Sequence, residues 1–112
     1  MTPEQEKRQR YLIAAGDGWE CCLFARCFPD ADVQGLQNRL LKVGDGTECA
    51  LFAQRVPGAD VEALERRVLE AGDGRDCVFF ARIVPGANRE ALMARAQALQ
   101  DLANDNVSLP AI

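Results

Sequence analysis

Cys49, Phe52, Ala53 and Val56 stand at i, i+3, i+4 and i+7, and the same spacing returns at Cys21, Phe24, Ala25 and Phe28 and at Cys77, Phe80, Ala81 and Val84. A strand would alternate apolar with polar residues; this spacing is one stripe of an amphipathic helix. A second stripe follows, at Val61, Leu64, Val68 and Ala71, with Val33, Leu36, Leu40 and Val43 as its copy. Polar and helix-breaking residues mark the ends. Asp17 with Glu20, and Asp45 with Glu48, have the spacing of a capping box at the start of a first helix, and Asp73 with Asp76 is a weaker version. Gly16, Gly44 and Gly72 precede those caps and are expected to close the previous helix in the left-handed conformation. "FPDAD", "VPGAD" and "VPGAN" supply a proline stop, a turn, and an Asp or Asn cap for a second helix. Thr2 before Pro3 caps the first helix of the chain. The pattern predicts seven helices, near 2–14, 18–28, 32–43, 46–56, 60–71, 74–84 and 88–104.

The pieces repeat. Residues 16–43, 44–71 and 72–99 align without a gap at a period of 28, about half the positions being identical between neighbours. A period of this size marks stacked supersecondary units. "TPEQEKRQRYLIAA" matches the second half of the unit, with Leu12, Ile13 and Ala15 where Val68, Leu69 and Ala71 fall. Residues 1–112 are thus read as one domain: a half-repeat cap (1–15), three repeats (16–43, 44–71, 72–99) and a tail (100–112). Short turns force the two helices of a unit side by side, so the expected fold is all-α, a short α-solenoid of stacked helical hairpins. Such a stack needs polar ends. Gln5 and Arg8 stand where Val61 and Leu64 stand, and Arg89 replaces that valine in the third unit. In the tail, Leu102, Val107 and Leu109 are expected either to fold back over the last hairpin or to fray.

The consensus "CxxFAxxVPGADVxxLxxxVLxxGDG" resembles short helical-hairpin repeats of bacterial, phage and giant-virus proteins, recognised by their "FAxxVPGA" core, and more loosely the tetratricopeptide and armadillo solenoids. The resemblance covers residues 4–99. It implies a binding role and supplies no catalytic residues.

Composition narrows the function further. Thirteen basic against seventeen acidic residues leave a net charge of −4, so most of the surface repels duplex nucleic acid. No segment reaches the roughly 18 apolar residues of a membrane span, and the N-terminal stretch lacks the apolar core of a secretory signal, which reads as cytoplasmic. Five cysteines, an odd number, fit reduced thiols. Histidine is absent, and with it the commonest general base and metal ligand.

Cys21, Cys49 and Cys77 form a ladder one period apart. Helices packed about 8–10 Å apart cannot share a zinc ion that wants sulfur at about 2.3 Å, so these thiols read as small core residues. Cys22 and Cys27 lie outside the repeat pattern, which leaves open whether they are exposed and reactive; with no histidine or clear cationic partner nearby, neither reads as a catalytic thiol. The "GDG" triplets lack the ligand pattern of a calcium loop and the lysine of a phosphate loop, and read as helix stops and caps. Arg39, Arg67 and Arg95 form a row on the second helices, and Arg26 and Arg82, with Gln54 between, a row on the first. Such rows grip an anionic partner, unless Arg67 pairs with Glu65 or Glu70. Leu23, Leu51 and Phe79 form a third row, either sandwiched between helices or lining a groove for a partner protein. Met93, Ala94 and Ala98 replace Glu65, Arg66 and Glu70, a loss of charge that suggests a homodimer contact on the last helix.

The leading expectation is a non-catalytic protein–protein interaction module or adaptor without cofactor or metal. The alternative is a small acidic inhibitor that occupies a nucleic-acid-binding protein, through Asp17, Asp45 and Asp73 with Glu20, Glu48 and Asp76. No convergent carboxylate pair and no nucleophile motif speaks for an enzyme.

Overall fold

The computed structural model describes residues 1–108, with side chains through Asn104. Among these there are seven α-helices and no strand: α1 (Pro3–Ala15), α2 (Gly18–Cys27), α3 (Val33–Val43), α4 (Gly46–Arg55), α5 (Val61–Ala71), α6 (Gly74–Ile83) and α7 (Arg89–Ser108). The chain is all-α. Each unit of the 28-residue period is a hairpin, α2 with α3, α4 with α5 and α6 with α7, while α1 rests on α2 and α3. The first helices pack in file, α2 on α4 and α4 on α6, in a body of 65 × 27 × 15 Å.

One continuous core runs the length of the file. Equivalent residues occupy it in every unit: Cys21, Cys49 and Cys77; Phe24, Phe52 and Phe80; Leu36, Leu64 and Leu92. Leu12, Leu40 and Val68 form a further buried row, one member on each of α1, α3 and α5. Neighbouring units are also tied by a repeated polar contact. Gln9 Oε1 accepts from Asp32 N–H (2.7 Å), Gln37 Oε1 from Asp60 N–H (2.8 Å) and Glu65 Oε1 from Asn88 N–H (2.6 Å). In each case the side chain of one second helix satisfies the backbone N–H that opens the next, a donor with no partner inside its own helix.

Helix starts follow the sequence with one exchange of roles. Asp17, Asp45 and Asp73 each accept from the N–H three residues on, at 2.7, 2.8 and 2.9 Å. The box is complete at Asp45–Glu48 and also at Asp73–Asp76, where a weaker version was expected. At Asp17 it is only half made, because Glu20 turns away to receive Arg8 from α1. Thr2 and Gln5 complete a box on α1.

The expected left-handed glycines are elsewhere. Gly16, Gly44 and Gly72 are extended, with φ of −75°, −79° and −80°. They are glycine because the chain crosses its own last turn: a Cβ there would lie 2.7 Å from Leu12 Cδ2, 2.5 Å from Leu40 Cδ1 and 2.7 Å from the Val68 carbonyl. Positive φ occurs instead inside the hairpins, at Gly58 (83°) and Gly86 (81°), the third residues of Pro-containing turns closed by Ala59 N–H to Val56 O and Ala87 N–H to Val84 O.

The last helix also departs from expectation. Gln100 stands where Gly16, Gly44 and Gly72 end their helices, and α7 continues for 20 residues where α3 and α5 have 11. Leu102 is 58% exposed and does not fold back on the last hairpin. Leu109 and the side chain of Val107 lie outside the described residues.

Candidate binding surface

A helix presents residues at i, i+4 and i+7 on one side. On α2 these are Trp19, Leu23 and Arg26, on α4 Thr47, Leu51 and Gln54, and on α6 Arg75, Phe79 and Arg82. Because the three helices lie in file, the nine residues make a grid of three columns and three rows on the outer side of the first helices. The leucine–phenylalanine row and the Arg26, Gln54, Arg82 row, separate in the sequence reading, are neighbours here. Leu23 is 37% exposed, and Leu51 and Phe79 are half-buried, so the apolar row is neither sandwiched nor open; the arginine row is exposed. Leu23 borders a hollow of about 250 Å³ with Phe24 and Phe28, and Phe79 borders a cleft of about 910 Å³ beside α7.

The other arginine row has different surroundings. Arg39, Arg67 and Arg95 are half-buried on the second helices. Arg39 Nε donates to the Gly16 carbonyl at 2.8 Å, closing the end of α1, and Arg95 Nε is enclosed without a partner. Arg67 pairs with neither Glu65 nor Glu70: the ion pairs among the described residues are Arg8–Glu20 and the terminal amine of Met1 with Asp30. Glu65 is drawn off along the file to Asn88.

The acidic row is held by backbone. Asp17, Asp45 and Asp73 each face a helix N-terminus, whose partial positive charge offsets theirs, and Glu48 and Asp76 return to the cap N–H groups. What remains for a basic ligand is reduced accordingly.

Cys22, whose exposure the sequence left open, is buried, because its position in the unit is also that of buried Ala50, facing the next hairpin. Cys27 is exposed. Burial pushes the ladder thiols up, Cys21 to about 11 and Cys49 to about 12; Arg39 and Arg67 respectively oppose this and neighbouring carboxylates add to it. Burial likewise raises Cys22 and Cys77. No group of three or more metal-ligating side chains comes together among the described residues.

Two exposed aromatics escaped the sequence reading. Trp19 is 46% exposed at the head of the α2 column, and Tyr11 is 53% exposed on α1 with the Arg8 guanidinium 5.3 Å from its ring centre. Their signal was their departure from the period: Trp19 stands where Thr47 and Arg75 stand, and Tyr11 where the half-buried arginines stand. No protein-family model, curated protein or solved structure matches the chain.

Proposed function

We propose that the protein is a non-catalytic interaction module that holds another protein across the outer face of α2, α4 and α6. The observation that carries this reading is the grid itself: an apolar row, headed on one side by Trp19 and edged on the other by Arg26 and Arg82, on three adjoining helices. Trp and Arg are the residues that concentrate binding energy at interfaces. An amphipathic helix with acidic residues along one edge fits such a face, its apolar side on Leu23 and Leu51 and its carboxylates toward the arginines. The inhibitor reading rests on carboxylates that already serve as helix caps or, at Glu20, pair with Arg8, and it is the weaker of the two. Five unpaired thiols suit a reducing, cytoplasmic setting.

The test is affinity capture from the native lysate with the wild-type chain, Leu23→Asp, Arg26→Glu, and Glu62→Gln as a control on exposed α5. A protein retained by wild type and control and lost with both α2 variants, circular dichroism being unchanged, is the expected result. Capture insensitive to both variants, or turnover of a substrate by the purified chain, would sink the reading.

A further inference from the structure

We draw no further inference here: the strongest candidate, the apolar end face of the α6–α7 hairpin where Val78, Phe79, Met93 and Ala96 wall a cleft of about 910 Å³, is an unpartnered surface, and nothing in the structure shows what covers it.

Discussion

Four of the five thiols sit inside the core and one, Cys27, does not. A thiol reacts as the thiolate, so burial both blocks the reagent and suppresses the reactive form. A disulfide-exchange reagent at neutral pH is therefore expected to modify one cysteine per native chain, and all five in denaturant; rapid native reaction of a second would contradict the packing. The same burial sets an alkaline limit. Below about pH 8 folded and unfolded chains both keep most of their thiol protons, and the contribution of Cys21 and Cys49 is whole. Above it the unfolded chain ionises first, and stability falls by up to about 1.4 kcal/mol per pH unit for each thiol until the folded values near 11 and 12 are reached. Cys49→Ala is expected to flatten that fall in urea titrations between pH 8 and 10.5, roughly the window in which the unfolded thiol ionises and the folded one does not. The ladder was legible because it recurs at the period. Cys22 was not: whether a residue beside the stripe is buried depends on the neighbouring hairpin, which one helix's own spacing does not contain.

Helix boundaries were legible to within a residue or two at most ends because each is written three times in proline, glycine and aspartate. The exceptions teach what those letters mean. A glycine at a helix end is required either by a positive φ or by lack of room, and composition does not separate the two; the extended Gly44 is the second kind and Gly58 the first. The pattern puts the end of α7 near 104, already past Gln100 in the glycine row, and the helix runs on to Ser108, with no glycine or proline between them to mark a stop. Capping gives the element-level prediction. Asp45 and Asp73 accept at 2.8 and 2.9 Å in complete boxes, so Asp45→Ala and Asp73→Ala should each cost about 1 kcal/mol by urea denaturation. If Asp73→Ala proves nearly free while Asp45→Ala does not, the shorter Asp76 is a poor partner after all and the sequence reading was the better one.

The surface was the least legible layer, since a row at the period shows that residues are equivalent and says nothing of which side they face. Arg26 and Arg39 look alike in the sequence, yet one is exposed and the other is bound to the end of α1, because each belongs to a different helix of the hairpin. Packing in file has a further consequence for how the molecule fails. Each hairpin touches only its neighbours, so stability is a sum of unit and interface contributions, and the ends cooperate only through the middle. Phe52 lies fully buried in α4, the helix that contacts both α2 and α6. Removing its ring should cost about 3–5 kcal/mol, and should fall on both interfaces at once. The single tryptophan, Trp19, reports only on the first hairpin, whereas far-UV circular dichroism reports on every helix. In the wild type the two signals are expected to follow one thermal transition. In Phe52→Ala they should part, the fluorescence marking the first hairpin with α1 and the dichroism spreading over a wider range. Transitions that move down together and stay coincident would mean that the ends are coupled by something other than the central hairpin.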